Sequence, residues 1–147
     1  MTNFKHVLLA AAIAFSLGAC TESANETADD VAEARDEAAD ESSDAREDAA
    51  ENIADANEDV AEAPAGAELG DEKADVVEAN AESRYDVAVT EAEGRYNIAM
   101  ERCDGFDGTE RDSCQSSAKA DYESSKASAA AARDAQLAES ERLDETE

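Results

Sequence analysis

The sequence predicts an all-α protein, an elongated amphipathic helix plus a disulfide-closed antiparallel αα-hairpin, partly disordered. Three observations predict it. Alanine, the strongest helix former, supplies 35 of the 147 residues. Acids and alanines recur in blocks of eleven along the chain. Cys103 and Cys114 enclose two Asp-Gly pairs, a turn signal set between two helical patterns.

Composition limits function before any motif is considered. The formal charge is −27, from 39 acids against 12 bases. Beyond residue 19 there remain twelve Val, Ile, Leu or Met and four aromatics, Tyr85, Tyr96, Phe106 and Tyr122. Sixteen large apolar side chains cannot enclose an ordinary globular core, and by composition alone such a chain is disordered. Glycosidase-style acid–base work needs a carboxylate in an apolar environment that raises its pKa, and no segment offers enough large residues to make one. His6 is the only histidine, so Ser–His and Cys–His catalysis leave with the first nineteen residues. No glycine-rich phosphate loop is present. The expectation is a protein that is not an enzyme, with no cofactor and no small-molecule substrate. Nucleic acid, itself a polyanion, is excluded as a direct electrostatic partner.

Residues 1–20 read MTNFKHVLLAAAIAFSLGAC. Lys5 gives a basic start, and Val7 to Ala19 form an apolar run shorter than the roughly 20 residues of a spanning helix. An export signal is the better reading. The run closes on Leu17-Gly18-Ala19-Cys20, which resembles the lipobox of bacterial lipoproteins. That resemblance implies a signal peptide over 1–19, cleavage before Cys20, and acylation of the Cys20 thiol. The alternative is an ordinary signal peptide with an incidental cysteine. One acyl chain holds a protein only marginally, whereas the three-chain modification usual in that family would be permanent. Thr21 follows the cysteine and is not aspartate. In lipoproteins of enteric type this implies the outer membrane, facing the periplasm.

With Cys20 as the anchor, Cys103 and Cys114 remain as an even pair in an oxidising compartment, which points to a disulfide. Zinc, the competing reading, lacks further histidine or cysteine ligands.

From residue 20 to 63 the chain falls into elevens. VAEARDEAADE (31–41), SSDAREDAAEN (42–52) and IADANEDVAEA (53–63) align with acids at places three, six, seven and ten. At about 100° per residue, places one, four, eight, nine and two form one face, built of alanine with Val31, Ile53 and Val60. An eleven-residue period is 3.67 residues per turn, so helices packed on it run nearly straight or slightly right-handed. These blocks are similar to the helices of late-embryogenesis-abundant and apolipoprotein-like proteins. Those families balance acids with lysines, whereas residues 21–63 carry 17 acids and only Arg35 and Arg46. A solvated acidic face is therefore expected, and not a lipid-binding one.

Residues 64–70, PAGAELG, contain Pro64, Gly66 and Gly70 and read as a hinge. A second repeat type follows in GDEKADVVEAN (70–80), AESRYDVAVTE (81–91) and AEGRYNIAMER (92–102). Its apolar face carries Val77, Tyr85, Ala88, Ala92, Tyr96, Ala99 and Cys103. The turn CDGFDGTERDSC spans 103–114, and a third helix is expected over roughly 110–143, with Ala118, Tyr122, Ser125, Ala129 and Ala132 on one side. The domain reading is thus a signal over 1–19, an acidic repeat helix over 20–63, a hinge over 64–70, a hairpin over 71–143 and a tail over 144–147.

The hairpin also resembles a recurring motif of small envelope proteins of Gram-negative bacteria. Cys103, Asp104, Phe106, Gly108, Arg111, Asp112, Cys114, Ala118 and Lys119 fall on its spacing, as do Tyr96 and Ala99 upstream; leucine is usual where Phe106 stands. That family has no established chemistry, so the resemblance implies an envelope hairpin and no activity. Calcium held by Asp104, Asp107, Glu110 and Asp112 is a sharper idea, but their order departs from the EF-hand loop. Turn chemistry explains them more simply.

The functional expectation is a lipid-anchored envelope protein with a structural, spacer or adaptor role. Its partners would be the membrane, through the N-terminal lipid, and a second helical copy or another envelope protein. The acidic rod would hold the hairpin some tens of ångströms from the membrane. A hydration or stress protectant and an acidic cation-binding module are the alternatives.

Overall fold

A computed structural model describes residues 23–63 and 70–144. The signal, Cys20, the hinge residues 64–69 and the tail from 145 lie outside the described residues. Three helices follow in order, α1 (Ala24–Glu62), α2 (Gly70–Asp104) and α3 (Gly108–Asp144). No strand occurs among the described residues.

Helix α1 starts where its sequence provides a reciprocal cap. The Ser23 hydroxyl accepts the Glu26 amide at 3.3 Å, and the Glu26 carboxylate accepts the Ser23 amide at 3.0 Å. Two N-terminal donors are thereby satisfied. The backbone and side-chain hydrogen bonds from Ser23 hold the Glu26 carboxyl below the usual carboxylate range.

The predicted rod does not project from the hairpin. It turns back and lies antiparallel along α2, with Thr27 beside Gly105 and Ala38 beside Gly94. Arg46 reaches across to Glu91 at 2.5 Å. Helices α2 and α3 run antiparallel in turn, joined by Cys103–Cys114 and by Tyr96 against Tyr122. No Cα of α1 comes within 8 Å of one of α3. The molecule is a single layer of three helices with α2 in the middle, and the packed region extends beyond the hairpin.

Burial explains the layer. Apart from Asp30, the inward positions on α1 are 27, 31, 34, 38, 42, 45, 49, 53, 56 and 60, steps of four, three and four that sum to eleven. These are places one, four and eight of the repeats. Places nine and two lie outside the contact, with Ala39, Ala50 and Ala61 exposed together with Ala32 and Ala54. The face is narrower than expected because the small residues of α2 allow a close approach along one seam.

Helix α2 carries two such seams. Gly70, Ala81, Ala92 and Cys103 are all buried at eleven-residue intervals, and Cys103 binds α3. Two residues further on in each repeat stand Glu72, Ser83 and Gly94, where Ser83 and Gly94 are buried and Gly94 meets α1. A step of two residues rotates about 200° around a helix. The two neighbours of α2 therefore occupy nearly opposite sides and cannot meet. On α3 the inward line runs 118, 122, 125 and 129 as expected, but Arg133 and not Ala132 continues it. Eleven residues separate Tyr122 from Arg133, so the same period selects the arginine.

Candidate functional site

The densest chemistry lies at the α2–α3 turn. Helix α2 ends in two tightened bonds, Gly105 N–H to the Arg102 carbonyl at 3.3 Å and Phe106 N–H to the Cys103 carbonyl at 3.1 Å. Gly108, with φ of +52°, redirects the chain into α3, a conformation that costs glycine little. The Asp107 carbonyl then accepts the Glu110 amide at 3.1 Å. The turn is thus built from the two Asp-Gly pairs that mark it in the sequence.

Cys103 and Cys114 are joined, with their Cα atoms 5.6 Å apart. Cys103 is wholly buried at the end of the α2 seam and Cys114 is half-buried in the first turns of α3. The bond replaces an apolar contact that alanine-sized neighbours could not supply at this position.

Arg111 completes the closure, a role that its sequence position does not announce. Its Nε donates to the Phe106 carbonyl at 3.0 Å and its Nη2 to the Asp104 carbonyl at 2.7 Å. The Asp104 carboxylate stands 3.8 Å from Nε. A guanidinium at a helix C-terminus satisfies orphan carbonyls and opposes the negative end of the dipole. This engages Asp104 with a base. Among the described residues no three His, Cys, Asp or Glu side chains are gathered to hold a metal ion.

Further along the hairpin, Tyr96 and Tyr122 stack with centroids 5.3 Å apart, and Lys126 sits 4.8 Å over the Tyr122 ring. Arg133 lies 4.6 Å over Tyr85, close to Asp134 and Glu82. Its hydrogen bond with Asp134 raises its affinity for its proton further, so it stays a cation at any working pH. A groove of about 220 Å³ runs beside the tyrosine pair, lined by Ala92, Tyr96, Ala118 and Tyr122 among others. Within its lining the Ser125 hydroxyl donates to the Asp121 backbone carbonyl at 2.9 Å. Phe106 projects from the tip, 44% exposed, as the one exposed large hydrophobic side chain among the described residues.

No family model, curated protein or solved structure matches the chain. The likenesses to lipoproteins and to envelope hairpins therefore rest on the residues quoted for them. Cys20, the expected lipidation site, lies outside the described residues. Among those residues no helix is long and apolar enough to cross a membrane.

Sequence reasoning missed three features of the structure: the Arg111 closure, the Arg133–Tyr85 contact and the second seam of α2. The third had a signal. Val76, Val87 and Ile98 recur at eleven, offset from the tyrosine face, and an amphipathic helix with two apolar lines has two neighbours.

Proposed function

We propose that the chain is a non-enzymatic, lipid-anchored envelope protein that faces the periplasm and serves as a structural or adaptor element. The observation that carries this reading is the sequence Leu17-Gly18-Ala19-Cys20 at the end of a short apolar run, three residues before the Ser23 cap. An anchor there would stand three residues in sequence from the cap of α1. The disulfide suits an oxidising compartment. The long acidic surfaces keep the layer solvated and leave recognition to a few positions.

The packing of α1 on α2 changes how such a protein would work. Helix α1 is no stalk between membrane and hairpin, since its first turn stands beside the hairpin's own turn. Reach comes from the whole layer, whose 39-residue first helix is about 58 Å long. A protectant that gains helix only on drying fits less well, because residues 24–62 already have a cap and a packed seam.

Mass spectrometry of the membrane-extracted protein tests the reading. The expected result is a chain beginning at Cys20 and carrying acyl mass. A soluble, unacylated mature chain would overturn it. Crosslinking in intact envelopes then identifies the protein that the layer contacts.

A further inference from the structure

The hairpin tip and the N-terminus of α1 share one end of the layer. A β-carbon at Gly105 would lie 3.5 Å from the Thr27 methyl, and Ser23 caps the same helix one turn earlier. Only residues 21 and 22 separate Ser23 from Cys20. At no more than about 3.6 Å per residue, Cys20 lies within about 11 Å of Ser23. Phe106 is exposed at this same tip, with Thr109, Glu110, Ser113 and Cys114 completing its patch.

We propose that the tip is a second membrane contact, in which Phe106 seats in the interfacial region of the leaflet that holds acylated Cys20. The inference rests on the lipid-anchor reading above. One aromatic ring would not hold a free protein on a bilayer, but a tether turns the contact intramolecular and raises its effective concentration to the millimolar range, about 10⁻³ M. The ring lies where amphipathic surfaces place their apolar residues, at the headgroup–acyl boundary.

Charge selects the lipid and the orientation. Acids fill at least four of every eleven places along α1, relieved only by Arg35 and Arg46, so a layer lying flat would press carboxylates onto headgroups. An upright layer touches the leaflet through the tip alone. There Arg111 engages Asp104, while Glu110 lines the same patch as the ring and Asp107 follows Phe106 in the chain. Zwitterionic headgroups fit this tip, and anionic ones oppose it.

The chain contains no tryptophan, so Phe106→Trp supplies a single emission reporter. Acylated mature protein beginning at Cys20, verified by mass, is reconstituted into phosphatidylcholine vesicles with plain or brominated acyl chains. Bromine should remove about half of the Phe106→Trp emission, as expected for a ring at interfacial depth. Thr109→Trp, exposed at the same tip, reads the contact with Phe106 retained. Ala138→Trp, exposed on α3 about 36 Å along the helix from Cys114, should be unaffected. Equal quenching at 138 and at the tip would mean a flat layer and would overturn the proposal. Acylated protein with both tip reporters unquenched would overturn the tip contact and leave the anchor standing. An unmodified Cys20 would overturn both.

Discussion

Gly94 and Ala38 set the distance between α1 and α2. A β-carbon on Gly94 would lie 2.7 Å from the Ala38 Cβ and 3.4 Å from its Cα, far inside normal contact. Ala38 has no torsion with which to yield, so the helices themselves must part. Overpacking of this kind costs about 1–3 kcal/mol. Replacing a helical glycine by alanine returns about 1 kcal/mol. Gly94→Ala should therefore destabilise the protein by about 1 kcal/mol net. The double mutant Ala38→Gly, Gly94→Ala should relieve the clash, and urea titrations of the cycle should give a coupling of about 1 kcal/mol or more. A coupling near zero would mean that the seam is not tightly packed here.

The disulfide should matter more than any apolar contact. Replacing Cys103 and Cys114 by alanine is expected to cost about 2–4 kcal/mol, chiefly by freeing the unfolded chain. Thermal melts followed by circular dichroism, with and without reductant, test this. Reductant should lower the transition of the wild type and leave the double mutant unchanged.

Arg111→Gln should loosen the turn without dissolving the helices. It removes two carbonyl hydrogen bonds and the Asp104 partner, a loss of about 1–2 kcal/mol for a part-exposed group. Amide exchange should accelerate around residues 102–108. Arg111→Lys should not restore protection, because a single ammonium cannot span two carbonyls as the planar fork does.

Salt should stabilise the fold. Asp30, Glu33 and Glu37 of α1 and Glu101 of α2 line one groove, and the whole chain is strongly anionic. Raising salt from about 0.01 M to about 0.1 M shortens the screening length from about 30 Å to about 10 Å. The melting temperature should rise, and a fall would mean that ion pairs such as Arg46–Glu91 outweigh the repulsion.

Acidification acts in two opposed ways. Protonating many carboxylates toward about pH 4 relieves repulsion and should raise helicity. Glu26 works against this trend. Its folded-state affinity for protons is lowered, so its contribution is complete above the ordinary carboxylate range and disappears as pH falls through its own lower value. The gap in melting temperature between wild type and Glu26→Gln should be widest near neutral pH and close on acidification. A gap independent of pH would remove the capping box from the account.

Much of this fold was legible because alanine and acid keep a strict period. The seam of Tyr85, Ala92, Tyr96 and Cys103 is as the spacing requires, and the turn is where two Asp-Gly pairs stand. The return of α1 onto α2 was not legible, because Ala39 and Ala50 are as small as Ala38 and nothing local says which alanine meets a neighbour. That decision belongs to Gly94 and Ser83 on another helix. Arg111 was hidden for a similar reason, since its partners are backbone carbonyls that carry no side-chain signature. The candidate site was legible only as two cysteines in a turn. Which end of the molecule this turn would occupy depended on the tertiary register.

Because Gly70, Ala81, Ala92 and Cys103 face one way while Ser83 and Gly94 face the other, α2 is read by two neighbours at once. A single inserted residue would rotate every later position by about 100° and spoil both seams together. Removing eleven residues from each helix, in register, would leave every face as it was. The layer thus has a unit of length, about 16 Å per step. Its length can change only in whole steps.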